Sequence, residues 1–329
     1  MKDIDFLAIG DITTDAFILM KDANVHCKIN SSDCELCVRF GDKVPFESVT
    51  ECAAVGNSPN AAVSAARLGL SVSLLASMGT DRNGDICIAT LEKNNVDTSL
   101  IHRQSDLPTN YHYVLWYPPE RTILVHQNSF SYSLPDIGTP KWIYLSSMGE
   151  ASEQLHHDLA TYLGTHPTVK LAFQPGTFQM KMGTEKLRDI YTRTELFICN
   201  VEESKRILNT EESDIKKLLS AIRTLGPRYV VITDGPKGAY GFDGEKYLFM
   251  PPYPDPKEPL ERTGAGDAFA STFAVALSLG KTFEEAFALA PINSMSVVQY
   301  VGAQEGLLSM DKLESFLSQA SKDYKIKEI

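Results

Sequence analysis

Short apolar runs recur along this chain, with helical patterns between them. Phe6-Leu7-Ala8-Ile9 and the runs at 72–76, 143–146, 171–173, 196–199 and 229–233 have the length and continuity of strands buried on both faces. Between them, apolar residues at three- and four-residue spacing predict helices over 60–68, 85–94, 153–163 and 211–225, the first closing at Gly69. This order predicts a mostly parallel sheet with helices on both faces. After Gly235, the pattern over 239–242 and 247–250 predicts a hairpin that extends the sheet antiparallel. Residues 268–279 contain no Gly or Pro and are apolar nearly all round, which predicts a buried helix ending at Gly280.

Two stretches break the alternation of helix and strand. From 17 to 52 apolar and polar residues alternate among scattered turn signals, and alternation returns over 110–127, with Tyr111, Tyr113, Leu115 and Tyr117 on one phase and a turn at Pro118-Pro119. Together they predict a β-strand lid (17–52 and 109–132) on an α/β core (1–16, 53–108 and 133–329). The aromatic phase, with Trp116, suits lid packing, a dimer face or stacking on a base or sugar. Exposed strand edges in such a lid predict a homodimer formed lid to lid.

The composition fits one large domain with an appendage: 329 residues, 43% of them hydrophobic and 22% charged. A formal net charge of -11 argues against nucleic acid as the main partner. No hydrophobic signal core precedes the first strand and no apolar run reaches membrane-spanning length, so no membrane association and a cytoplasmic setting are expected. In that compartment the six Cys should be thiols. Cys27, Cys34, Cys37 and Cys52 crowd one segment, but a single CxxC without a partner pair is a weak zinc signal, and free thiols are the expectation.

The candidate chemistry lies at Glu261-Arg262-Thr263-Gly264-Ala265-Gly266-Asp267-Ala268-Phe269, where a small-residue turn delivers one carboxylate to a helix mouth. Free N–H groups and positive dipole potential at a helix start suit the oxygens of a transferring phosphoryl group. Asp267 is placed to take the proton of an attacking hydroxyl; the competing reading is a plain helix cap in a tight turn. A Rossmann fingerprint fails because Phe269 stands where a third small residue belongs, and a P-loop fails because Val275 precedes Gly280-Lys281-Thr282 where Gly is needed.

The order of motifs resembles the ribokinase or PfkB family of ATP-dependent sugar and nucleoside kinases, from the first strand to about Gly306. The family's Asp-Thr-x-Gly-Ala-Gly-Asp-like signature is matched at Thr263, Gly264, Ala265, Gly266 and Asp267. The resemblance implies a three-layer α/β sandwich with a small β-sheet lid, Asp267 as catalytic base, and the turn from Gly264 to Gly266 as anion hole. Glu261 replaces the signature's first Asp, which in relatives helps build a monovalent-cation site, so potassium dependence stays open. Arg262 stands where Thr or Ser is usual. The Gly-Gly-x-x-x-Asn element becomes Val55-Gly56-Asn57-Ser58-Pro59-Asn60, which implies contact of Gly56, Asn57 and Asn60 with a polyol; Asn60 also reads as a helix cap. Asp11 and Asp15 follow the first strand where relatives clamp sugar hydroxyls, or serve turn and cap chemistry.

Further motifs resemble the family's nucleotide side. Asn200-Val201-Glu202-Glu203 is similar to its Asn-x-x-Glu motif, implying that Asn200 and Glu203 hold Mg2+, usually through water, and the phosphates of ATP; a capping box is the alternative. Thr233, Gly235 and Gly238 match a Thr-x-Gly-x-x-Gly loop that contacts nucleotide, or form an ordinary glycine turn. Asn293 falls where relatives line the adenine pocket, Thr263 joins the nucleotide set, and Gly302-Ala303 matches a late Gly-Ala. Gln174-Pro175-Gly176 is similar to an Asn-Pro-Gly element, and the loop from Gly79 to Gly84 reads as structural. The expectation is phosphoryl transfer from ATP to a hydroxymethyl group of a sugar; the alternatives are a nucleoside as acceptor, or a non-catalytic sugar- or nucleotide-binding regulator of the same fold, against which the intact run from Thr263 to Asp267 argues.

Overall fold

The computed structural model describes residues 3–27, 34–118 and 120–329. Strand β1 (Phe6–Ile9) is buried at all four positions. Phe6 and Ala8 enter one hydrophobic cluster while Leu7 and Ile9 enter another on the opposite face, as a strand covered on both sides requires. Three residues later β2 (Thr13–Met20) leaves the main sheet. A hairpin of β3 (Asn24–Cys27) and β4 (Cys34–Cys37) and the long β5 (Phe46–Val55) follow, before helix α1 (Asn57–Arg67).

Next come β6 (Val72–Leu75), β7 (Ser77–Gly79), α2 (Arg82–Lys93), β8 (Val96–Asp97), β9 (His102–Gln104), β10 (Asn110–Tyr117), β11 (Glu120–Leu124) and β12 (Trp142–Leu145). Helices and strands then alternate through α3 (Glu153–Thr165), β13 (Lys170–Phe173), α4 (Thr177–Met182), α5 (Arg188–Arg193), β14 (Thr194–Asn200), α6 (Val201–Leu208), α7 (Ile215–Thr224) and β15 (Tyr229–Thr233). The chain closes with β16 (Ala239–Phe242), β17 (Tyr247–Met250), α8 (Ala265–Ser278), α9 (Phe283–Val297), α10 (Met310–Ser318) and β18 (Lys327–Glu328).

Among the described residues the main sheet has ten strands in the order β18-β17-β16-β15-β14-β13-β12-β1-β6-β8. Pairing is parallel from β15 to β8 and antiparallel from β15 to β18. Side chains of α1, α2, α8, α9 and α10 fill one face, and those of α3, α5, α6 and α7 the other. This three-layer arrangement is the expected one. Helix α8 is buried along most of its length because it packs on both α1 and α9. It starts at Ala265, so the glycine turn belongs to the first helical turn instead of preceding it.

A second, four-stranded sheet runs β11-β10-β2-β5, and its strands reach past the expected boundaries, to Thr13 and Val55. On β10 the tyrosine phase faces outward, with Tyr113 49% exposed, while Asn110, Val114 and Trp116 are buried on the other phase. Trp116 therefore does not share a face with the tyrosines. Cys27 and Cys34, expected as thiols, are joined in a disulfide, because the β3–β4 register sets them directly opposite each other. Two of the four clustered Cys are thus unavailable as thiolate ligands, and among the described residues no group of three or more His, Cys, Asp or Glu side chains converges to hold a metal. Among the described residues no helix is long and apolar enough to cross a membrane.

The loop before α2 ties the start of that helix to the entry of β10. Asp81 caps α2 by accepting from the Gly84 amide (3.0 Å) and also accepts from the amide (3.1 Å) and hydroxyl (2.5 Å) of Thr109, at the entry to β10. Removing a cap costs about 1 kcal/mol, and a hydrogen bond to a charged group contributes about 1.5–3 kcal/mol. Asp81→Ala is therefore expected to destabilise the protein by roughly 2–4 kcal/mol in urea unfolding, whereas an unchanged midpoint would show the tie to be slack.

Candidate active site

The parallel strands end side by side at one edge of the sheet, where open α/β folds gather ligand groups. Gly10 and Asp11 follow β1, Ser146 follows β12, Gln174 follows β13, and Asn200 and Thr233, paired in register, end β14 and β15. The N-terminus of α8 meets this edge through Asp267.

Asp267 is gripped by three amides. Its Oδ1 accepts from Asn57 Nδ2 (2.7 Å) and Gln174 Nε2 (3.3 Å), and its Oδ2 accepts from Asn60 Nδ2 (2.8 Å). Gln174 is oriented in turn by the Tyr144 hydroxyl, and Asn60 by Gln304, whose amide also reaches the Ala54 carbonyl at 2.7 Å. Gln304 had no motif to announce it. Part of the Asp267 surface stays open to the cleft, yet burial pushes its carboxyl above the ordinary aspartate range; the amides pull the other way without cancelling the rise, and the charge of Asp15 adds to it. Asp267 is the third residue of α8 and does not cap it; the cap position is Gly264. Asn60 likewise lies inside α1, which Gly56 caps.

The turn itself is shaped by close approach. Gly264 has φ +80°, and a Cβ there would overlap the Ala303 side chain. A Cβ on Gly266 would meet nothing within 4 Å. The first intrahelical bond runs from the Ala268 amide to the Gly264 carbonyl (2.8 Å), leaving the Gly266 and Asp267 amides without an intrahelical acceptor. Upstream, the buried Glu261 accepts from the Thr263 amide (2.6 Å) with one oxygen and from the Gly302 amide (3.0 Å) with the other. Its carboxylate also faces Arg121 of β11, whose Nε lies 3.9 Å away. The Thr263 hydroxyl is buried without a hydrogen-bond partner.

Beyond Gly266 opens a cleft of 370 Å³, within the usual size of small-molecule sites. Thr233, Gly235, Gly238 and Arg262 line one part, and Phe269, Met295 and Val298 supply apolar wall. Asn293 is not among them. It is fully buried, donates to Thr272 Oγ1 (2.8 Å) and accepts from the Leu308 amide (3.0 Å), because its side of α9 packs into the core; Ser294 and Met295 face the cleft instead. Asn200 and Glu203 do form a capping box: the Glu203 amide donates to Asn200 Oδ1 and the Asn200 amide to Glu203 Oε2, each at 2.8 Å. Burial raises the Glu203 carboxyl, and the negative charge of Asp267 contributes. Glu203 Oε1 lies outside the capping box, which suits a Mg2+ ion bound through one carboxylate and water.

On the other side of Asp267 stand the remaining expected residues. Gly56 has φ +124°, and a Cβ there would lie 2.7 Å from the Asp11 carbonyl. Asp11 is already engaged: its oxygens accept from Gln127 Nε2 (2.5 Å) and the Tyr132 hydroxyl (2.7 Å), and burial pushes its carboxyl up to about 6. Asp15 lies inside β2, buried, beside His112 of β10. Cys52, its register partner on β5, is a thiol that burial pushes up to about 11.

Comparison with known proteins identifies the family. Residues 22–310 match the model of the pfkB family carbohydrate kinases. This chain belongs to the pfkB family. It is accordingly a phosphotransferase with an alcohol group as acceptor. The ribokinase of Bacillus subtilis (strain 168) is 26% identical over 270 residues, covering 80% of this chain and 87% of the relative. The aminoimidazole riboside kinase of Salmonella typhimurium (strain LT2) is 25% identical over 297 residues, covering 81% and 88%. In fold, this pfkB-family chain is similar to the Arabidopsis thaliana ribokinase solved with ribose and ATP, at a TM-score of 0.78 and 19% identity, covering 96% of this chain and 99% of that one.

The two glycines of the turn separate packing from chemistry in this pfkB kinase. Gly264→Ala should cost about 2–5 kcal/mol, from the left-handed backbone and the overlap with Ala303. Gly266→Ala should leave the unfolding free energy unchanged or raise it by up to about 1 kcal/mol of helix propensity, while its methyl group intrudes on the cleft. Equal destabilisation by both would contradict this division.

Proposed function

We propose that this chain transfers the γ-phosphate of ATP to a hydroxymethyl group of a sugar. The observation that carries the reading is the Asp267 carboxylate, held by three amides in the first turn of α8 beside amides that have no intrahelical acceptor. Asp267 takes the proton of the acceptor hydroxyl, and its raised pKa makes it a stronger base than a free aspartate. The Gly264, Ala265 and Gly266 turn stabilises negative charge on the transferring group. Asp15 and Gly56 orient the acceptor, with Asn57 and Asn60 setting the base against it; Asp11, bonded to Gln127 and Tyr132, shapes the acceptor floor. Thr233, Gly235, Gly238 and Thr263 belong to the nucleotide side. Asn200 and Glu203 would hold Mg2+, which would supply positive charge against the phosphates.

The four-stranded sheet serves as a lid, excluding water that the base would otherwise activate. Its outward tyrosine face, with Val49, Tyr113 and Leu124 about half exposed, is the surface through which two copies would pair. Both Glu261 oxygens accept hydrogen bonds from backbone amides, and Arg121 faces the same carboxylate. A cytoplasmic setting, where ATP is available, completes it.

A coupled assay of ATP consumption over ribose, fructose, keto-sugar acids, inosine, guanosine, cytidine and adenosine tests the acceptor. Stimulation by nucleosides above sugars would favour the second reading, which the similarity to the riboside kinase supports. Asp267→Asn should lower turnover by roughly a hundredfold to ten-thousandfold with nucleotide affinity nearly kept; wild-type turnover in this variant would remove the base assignment.

The acid side of the pH–rate profile gives an independent check. Because the Asp267 carboxyl is raised and must be ionised to act, activity should fall on acidification at a pH above the ordinary aspartate range. Gln174→Leu removes a donor that favours the ionised form, so it should move that limb to still higher pH. A shift to lower pH would contradict the assignment.

A further inference from the structure

One charged contact crosses from the small sheet to the glycine turn. The Glu261 side chain is 1% exposed, and an ionised carboxylate taken out of water needs hydrogen bonds and a positive charge to compensate it. The Thr263 and Gly302 amides supply the hydrogen bonds. Among the described residues, the cation within ion-pairing distance is Arg121 of β11, whose Nε lies 3.9 Å from Glu261 Oε2.

What Glu261 holds is the frame of the anion turn. The Thr263 amide immediately precedes Gly264, and the Gly302 amide immediately precedes Ala303, whose side chain a Cβ on Gly264 would overlap. One carboxylate thus fixes both walls of the turn. The Gly266 and Asp267 amides, which have no intrahelical acceptor, take their position from it. Such donors stabilise developing charge only when held in place, and a misplacement of about 1 Å can cost on the order of a hundredfold in rate.

The contact is incomplete on the lid side. Arg121 Nε is buried and has no hydrogen-bond partner, and 3.9 Å is too long for a hydrogen bond. β11 is an outer strand of the small sheet, with the buried Trp116 opposite Arg121 in the register. An approach of about 1 Å by this edge brings Nε to the ~2.7–2.9 Å of a charge-assisted hydrogen bond. Oε2 already accepts from the Thr263 amide and keeps a second lone pair for the guanidinium.

We propose that Arg121 is a positioning residue, a latch through which closing of the small sheet completes the anion turn. When Arg121 Nε donates to Glu261 Oε2, the carboxylate is held against both amides and the turn is set for the transferring phosphoryl group. Arg121 touches neither nucleotide nor acceptor; it acts through Glu261. This inference rests on the kinase reading above and adds to it a coupling between lid and turn.

The test measures kcat and both KM values of the full chain with D-ribose, D-fructose, inosine and adenosine as acceptors. Wild type is compared with Arg121→Met, which keeps an apolar stem and loses the charge, with Arg121→Lys, with Glu261→Gln, and with the double variant carrying Arg121→Met and Glu261→Gln. All assays run below the lowest unfolding midpoint of the set, which separates folding defects from slow turnover. For the acceptor with the highest kcat/KM, Arg121→Met should lower kcat about tenfold, as expected for one charge-assisted hydrogen bond. The KM for ATP should stay within about twofold, and Arg121→Lys should recover part of the loss because it keeps the charge. In the Glu261→Gln background, Arg121→Met should lower kcat by less than about twofold further, since the two residues act as one unit. A tenfold loss that persists in that background, or a rise in the KM for ATP in place of the fall in kcat, shows Arg121 acting on the nucleotide itself and overturns the proposal. An unchanged kcat with a lowered unfolding midpoint overturns it too, because a purely structural pair affects stability alone. In each of these cases the kinase reading survives. If the wild type turns over none of the four acceptors, the kinase reading fails for them and the proposal falls with it.

Discussion

Three side-chain amides converge on one carboxylate, and much of the cleft edge is arranged around that grip. Asn57 and Asn60 come from the first two turns of α1, Gln174 from the end of β13, and Asp267 from the first turn of α8. Amide donors carry no net charge, so they hold the carboxylate in place without pulling its pKa down as far as an arginine or lysine would. Burial then wins, and the group stays more basic than a free aspartate. Replacing the amides by cations would lock the group more firmly and make it a poorer base.

The framework was legible in the sequence because its strands are buried on both faces. An unbroken apolar run such as that of β1 has few ways to be satisfied other than a parallel sheet between two helical layers. Element starts were harder to read. The glycines ahead of α1 and α8 look like turns, yet Gly56 and Gly264 are caps and the residues after them are already helical, since a positive φ at the cap reverses the chain directly into the first turn. The tyrosine alternation misled in a different way. It identified a strand correctly but said nothing of which phase is buried, a matter decided by how β10 lies against β2.

Among the site residues, those on strand ends and short glycine motifs could be found, while those reaching in from elsewhere could not. Gln304 supports Asn60 from an irregular stretch more than 200 positions away, and Arg121 faces Glu261 across the gap between the small sheet and the turn. Neither belongs to a periodic pattern. Asn293 shows the reverse error: a helix one residue wide in its reading puts Ser294 at the cleft and Asn293 in the core, where both ends of its amide are already used. Similarly, the cysteine pair depends on a strand register that spacing alone does not specify.

The contact between Gly264 and Ala303 ties together two segments nearly forty positions apart. With the turn in its left-handed conformation and no room beside it, position 264 accepts no side chain and position 303 accepts none much larger than a methyl. Neither site can drift alone during divergence. A lineage that enlarged residue 303 would have to move the loop carrying Gly302, and with it one of the two amides that hold Glu261, so these positions should vary as a set across descendants of this sequence.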